Sequence, residues 1–225
     1  MKKITSRYLL PISLIALLAV TTGCSSRHVE FYQLPYEAVD IASQSEGLSV
    51  LVGPIKLADY LQREQILQRQ SDGRLLYSQQ GRWAGGLEEE IGQLLLAQIA
   101  ANGNNSQVSL YPDRVGIKPG AQVLVSINRL DSGTQLPAVL QAQWRLLDVQ
   151  GKQRASRMLS LEQEHDGSLV GQVKAQSLLL QQLAQEVSQA LQDYSRPLLP
   201  RAKSARQQPV IEGSVQAQPK TVYRF

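Results

Sequence analysis

The chain is short of the residues on which most protein chemistry rests. It has 225 residues and one cysteine, Cys24. A lone cysteine excludes a disulfide framework and a thiolate metal site. There are two histidines, His28 and His165. His165 lies between Glu164 and Asp166 at a strand-to-helix turn, where adjacent side chains point apart, and it reads as a solvated turn residue. No G-x-S-x-G elbow, H-E-x-x-H, G-x-G-x-x-G or G-x-x-x-x-G-K-[ST] occurs. No internal repeat is visible. With no constellation for acid–base, nucleophilic or metal chemistry, the chain is not expected to be an enzyme or to hold a metal or cofactor.

The one long apolar run is too short to span a bilayer. It extends from Tyr8 to Val20 and includes Pro11 and Ser13, whereas a spanning helix needs about 20 apolar residues. Lys2, Lys3 and Arg7 precede it, and Thr21-Thr22-Gly23 lead to Cys24. A basic segment, a short apolar segment and a small-residue cleavage site make a secretory signal over residues 1–23. A cysteine at that junction resembles a lipobox. Cleavage would make Cys24 the first residue of the mature chain, with diacylglycerol on its thiol and an acyl group such as palmitate on its amine. Serine follows the cysteine, not aspartate. By resemblance to proteobacterial sorting rules, that implies the outer membrane, facing the periplasm.

The formal charge of +4 is misleading. Three of the positive charges leave with the signal, so the mature chain carries +1. The segment 196–225 holds Arg196, Arg201, Lys203, Arg206, Lys220 and Arg224 against Glu212, a net +5. The body over 24–195 is therefore mildly acidic at −4. An acidic body with a diffuse basic tail has no nucleic-acid footprint. Four prolines and few large apolar residues mark the tail as a solvated, disordered segment.

Apolar periodicity divides the body into strands and helices. Phe31–Leu34 reads as a brief strand ended by Pro35, Leu48–Val52 as a strand closed by Gly53-Pro54, and Leu75–Tyr77 as another. The segments 121–130 and 138–147 alternate apolar and polar residues, and 153–164 completes a hairpin after the turn at 148–152. Two helices are expected. The first covers about 84–101, with Leu87, Ile91, Leu94, Leu95 and Ile99 on one face, acids in its first turns and Asn102-Gly103 as a left-handed stop. The second covers about 168–194, preceded by the capping chemistry of Asp166-Gly167-Ser168, with Val173, Leu180, Leu183, Val187, Leu191 and Tyr194 as its stripe. The expected class is α+β: a mostly antiparallel sheet with two amphipathic helices packed on one face.

Two segments stand out from an ordinary core. Residues 59–69 mix Tyr60, Leu61, Arg63 and Ile66 without a period, and Arg82-Trp83-Ala84 precedes the first helix. Tyr60, Leu61, Arg63, Arg82 and Trp83 admit two readings. They are a local plug, with an arginine stem against tryptophan and Tyr60 and Leu61 closing a sheet edge. Or they are a protein-binding rim, since Tyr, Trp and Arg anchor interfaces.

Phe31-Tyr32-Gln33-Leu34, the stretch from Gly53-Pro54 through Tyr60-Leu61-Gln62-Arg63-Glu64-Gln65-Ile66, and Arg82-Trp83-Ala84 occur in an order that resembles the ABC-type transport auxiliary lipoproteins. The resemblance covers nearly the whole body. It implies a periplasmic accessory subunit of an MCE-type system, which moves lipids or other hydrophobic molecules between the two membranes. The implied partner is an MCE-domain protein, and a homo-oligomeric ring is one implied arrangement. The family has no catalytic residues to carry over. The alternative is a lipoprotein that binds a hydrophobic ligand between helix and sheet, or activates a cell-envelope enzyme.

Overall fold

The structure is a computed structural model that describes residues 28–36, 47–113 and 118–196. The signal, Cys24, the polar stretch 37–46, residues 114–117 and the tail after Arg196 lie outside the described residues. Alternation of apolar residues builds the larger of two sheets. It contains β2 (Val50–Leu57), β5 (Val108–Leu110), β6 (Ala121–Asp131), β7 (Ala138–Asp148) and β8 (Gln153–Gln163), in the order β5-β2-β6-β7-β8. A smaller sheet, β1-β4-β3, is formed by β1 (Glu30–Tyr32), β3 (Gln65–Arg69) and β4 (Leu75–Trp83).

The α+β class holds, and β6-β7-β8 form the expected antiparallel meander. The sheets are mixed, however. Strand β2 runs parallel to both β5 and β6, and β1 runs parallel to β4. Parallel neighbours need a crossover connection, usually helical, and helix α1 (Leu87–Gly103) lies on the path from β2 to β5. Period-2 alternation identifies a strand without identifying its neighbour or direction.

Helices α1 and α2 (Leu169–Ser195) pack on one face of the larger sheet. Ile91, Leu94 and Leu95 of α1 and Leu179, Leu180 and Leu183 of α2 are fully buried with Val123, Ile127, Leu140 and Leu146 of the sheet. These side chains fill the space between helices and sheet. Truncating such a residue costs about 2–5 kcal/mol. The opposite face carries Gln141 and Arg145 of β7 and Met158 and Ser160 of β8, all exposed.

Several boundaries differ from expectation. Gly53-Pro54 does not close β2. It forms a bulge within it, with Gly53 at φ +105°, and the pairing with β6 resumes at Ile55. Glycine tolerates that conformation, and the bulge absorbs a proline that cannot donate to the ladder. Strand β4 runs on to Trp83, so Arg82 and Trp83 are strand residues. Helix α1 begins at Leu87, three residues later than expected, and ends at Gly103, two residues later, with Asn104 rather than Asn102-Gly103 in the left-handed region and its N–H donating to the Ala101 carbonyl. Helix α2 begins as the capping chemistry predicts: Ser168 Oγ accepts from the Gly171 N–H at 3.0 Å. His165 is half-buried and bracketed. Its Nδ1 accepts from the Gly167 N–H at 3.0 Å, so Nε2 carries the proton and donates to the Leu136 carbonyl at 3.0 Å. The ring is a structural tie between the β6–β7 loop and the start of α2.

The β7–β8 turn is fastened by Asp148. Its Oδ1 accepts the N–H groups of Gln150 and Lys152, each at 2.9 Å, and its Oδ2 accepts Arg154 Nε at 2.7 Å. Burial pushes this carboxyl up, but the Lys152 and Gln150 N–H groups and the Arg154 guanidinium outweigh that and hold it below the usual value. The folded value lies below the unfolded one. The turn's stabilisation is therefore complete above about pH 4 and is lost as pH falls through the depressed value. Asp148→Asn is expected to lower stability at pH 7 and to flatten the acid limb, read by thermal melts between pH 7 and pH 2.5. An unchanged acid limb would count against this role.

Candidate functional site

Strand β4 ends at Trp83 and helix α1 begins at Leu87, and the turn between them forms one wall of a groove of about 580 Å³. The other walls come from β1 and from the segment that leads into β3. Phe31, Arg63, Glu64, Trp83 and Glu88 line it. The backbone holds these pieces together. The Trp83 N–H donates to the Glu64 carbonyl at 2.7 Å, and the Ala84 N–H donates to the Tyr32 carbonyl at 2.8 Å. Phe31 is 69% exposed at the mouth. Arg63 and Glu88 are exposed charged lips of opposite sign. The Glu90 carboxylate, one turn into α1, accepts the Leu34 N–H at 3.0 Å and ties the chain after β1 to this corner.

The irregular segment 59–64 has a local cause. Asp59–Leu61 form a single 3-10 turn. It drives Leu61 into the core, where it is 3% exposed, and turns Tyr60 toward the end of β6. Gln62 Nε2 donates to the Leu57 carbonyl at 3.2 Å and closes the turn, which leaves Arg63 and Glu64 in the groove. Of the five residues singled out from sequence, Arg63 and Trp83 line the groove. Trp83 is 6% exposed and belongs to the core. Arg82 is half-buried and donates to the Ser78 and Gly81 carbonyls at 2.7 and 3.0 Å. The groove brings in Phe31, Glu64 and Glu88, which sequence reasoning did not single out as contact residues. Phe31 belongs to a three-residue strand, β1, that among the described residues pairs with β4 alone.

Tyr60 leads to the polar centre of the molecule. Asp131, at the end of β6, is fully buried. Its Oδ1 accepts Arg69 Nε at 2.8 Å and Arg129 Nε at 3.0 Å, and its Oδ2 accepts Arg69 Nη2 at 2.6 Å. The Tyr60 hydroxyl is 3.3 Å from Oδ2 and 3.2 Å from the Asn128 carbonyl. Burial, and then the Asp131 charge, pushes the Tyr60 phenol above its ordinary value. Beside this cluster, the Arg69 N–H donates to the Ser132 carbonyl at 2.7 Å. Ser132 Oγ donates to Gln172 Oε1 at 3.1 Å and accepts from Gln176 Nε2 at 3.2 Å. The close approach of the two sheets here needs Gly133, because a Cβ at that position would lie 2.2 Å from the Arg69 carbonyl oxygen. Among the described residues, no group of three or more His, Cys, Asp or Glu could hold a metal ion, and no helix is long and apolar enough to cross a membrane.

Fold and groove together define an α+β domain that presents a recessed, partly apolar surface beside its first strand. Residues 32–188 match the family model of the ABC-type transport auxiliary lipoprotein component, and the chain belongs to that family. Among solved structures it is similar to protein XCC0632 from Xanthomonas campestris, of the DUF330 family. The identity is 15%, coverage is 76% of this chain and 99% of that one, and the TM-score is 0.62. It is also similar to an uncharacterized protein, with 17% identity, coverage of 73% and 99%, and a TM-score of 0.60. A PelC dodecamer from Paraburkholderia phytofirmans aligns over 68% of this chain and 94% of that one, with 13% identity and a TM-score of 0.41. No curated protein matches the chain.

Asp131→Ala is expected to destabilise the domain by about 3 kcal/mol, the low end for breaking a buried pair, because both arginines are about a quarter exposed and regain water. Urea titration measures it. A loss under about 0.5 kcal/mol would remove Asp131 from its central place.

Proposed function

We propose that this chain is an outer-membrane-anchored periplasmic lipoprotein that acts as the accessory, docking subunit of an MCE-type intermembrane lipid transport system. The observation that carries the reading is membership of the transport auxiliary lipoprotein family across residues 32–188. Lipidation of Cys24 with diacylglycerol and an N-acyl group supplies the anchor. The role is one of position and contact, not catalysis. The groove offers the chemistry of a modest protein contact: an exposed aromatic ring, an apolar floor at Trp83 and Leu87, and the opposed charges of Arg63 and Glu88. Aromatic and arginine side chains at such a rim are the usual anchors of an interface. Docking at this groove would leave the two helices and the larger sheet as the scaffold that holds the groove's walls.

The mature lipoprotein, extracted in detergent, is expected to retain an MCE-domain protein in a pull-down. Phe31→Ser combined with Arg63→Glu should lower that recovery about tenfold or more while leaving the melting temperature within a few degrees. Failure of the intact lipoprotein to retain any MCE-domain protein would overturn the docking role. Cys24→Ala is expected to move the chain from the membrane fraction to the soluble fraction with its circular dichroism unchanged. A variant that stays in the outer-membrane fraction would show that the anchor lies elsewhere.

A further inference from the structure

The direction of β1 fixes how the body leaves its anchor. Strand β1 is parallel to β4, with Glu30 opposite Gly81 and Tyr32 opposite Trp83. The chain therefore enters the body from the N-terminal side of β4, where the turn at 70–74 joins β3 to β4. The groove lies at the other end of β4, beyond Trp83.

The lengths are comparable. Five residues lie between Cys24 and Glu30, so the tether, six Cα–Cα steps, reaches at most about 20 Å. From Gly81 back to Leu75, β4 takes six steps, but it bulges between Tyr77 and Arg82, where five of its steps face two of β3, so it rises less than the ~20 Å of a regular strand, and the turn at 70–74 projects further in the same direction. A tether that continues the line of β1 ends beside that turn, which brings the turn to the bilayer in which Cys24 is anchored.

The hairpin end has the composition of a membrane interface. Leu76 is 46% exposed and Tyr77 51% exposed. The exposed Arg74 is paired with Asp72 at 2.7 Å, so the tip carries no net charge of its own. Tyrosine with an adjacent aliphatic residue suits the headgroup boundary, where a ring sits in the apolar zone and its hydroxyl stays wet.

We infer that the β3–β4 hairpin, through Leu76 and Tyr77, rests in the interfacial layer of the phospholipid bilayer that holds Cys24, and so points the groove away from that membrane. The inference rests on lipidation of Cys24 and is independent of the partner's identity. Because the Asp72–Arg74 pair cancels, contact is expected to depend on apolar insertion and little on anionic lipid.

The test uses the full lipidated chain in vesicles of phosphatidylethanolamine and phosphatidylglycerol. A nitroxide is attached in turn to Leu76→Cys, Tyr77→Cys and Val149→Cys. Val149 is exposed in the β7–β8 turn, at the end of the larger sheet away from Asp131 and Arg69. Power-saturation spectroscopy should find labels at 76 and 77 shielded from a water-soluble nickel complex at least threefold relative to the label at 149, and more accessible to oxygen. The same contrast should persist in vesicles of phosphatidylcholine alone. Labels at 76 and 77 as nickel-accessible as the label at 149, on a chain whose N-terminal peptide carries the lipid mass, would overturn this orientation alone. Absence of that lipid mass would overturn the anchoring on which it rests.

Discussion

Asp131 is a carboxylate removed from water, and the rest of the molecule is arranged around its satisfaction. Each oxygen is held: two contacts come from Arg69 in the small sheet, one from Arg129 in its own strand, and the Tyr60 hydroxyl closes the remaining side. An unpaired buried carboxylate is costly enough that such a group demands its partners. The demand fixes where β3 ends relative to β6, and hence where the small sheet sits against the large one. Gln172 and Gln176 extend the same seam into α2, so three elements distant in sequence meet in one polar line. The groove inherits its shape from that line, because the 3-10 turn that carries Tyr60 to Asp131 also delivers Arg63 and Glu64 to the groove wall.

The small sheet gives the domain a direction. Strand β4 has the β3–β4 hairpin at one end and the groove at the other. In the proposed arrangement one end faces lipid and the other faces a partner. In that arrangement the body contributes by holding these two ends apart at a set distance and angle. The large sheet and its two helices supply rigidity, since their contact is filled by fully buried leucines and isoleucines that leave little room to shear.

Much of the architecture was legible. The meander from Ala121 to Gln163 and both helical stripes follow from periods of two and near four, because a half-buried strand and an amphipathic helix each leave that trace. Ser168 announced the start of α2 for the same local reason. The groove was only partly legible. Arg63 and Trp83 attracted notice by residue type, but Leu61 and Trp83 proved to be core, and Phe31 was read as part of a brief strand. A residue's type states what it could bind. Its exposure depends on strands whose order no local pattern encodes. The seam was not legible at all: Gln172 and Gln176 look like ordinary polar positions of a helix, and only the approach of Ser132 and Gln68 explains their burial.

The amino-acid sequence by itself determined the segments, the α+β class, the family and the expected site of lipidation. Each is written in residues close together along the chain. Tertiary structure alone decided that β2 lies parallel between β5 and β6, that the sheet splits in two, and that the groove and the hairpin tip stand at opposite ends of β4. Those outcomes come from pairing choices and from one buried charge, whose energies depend on groups that meet only after the chain has folded.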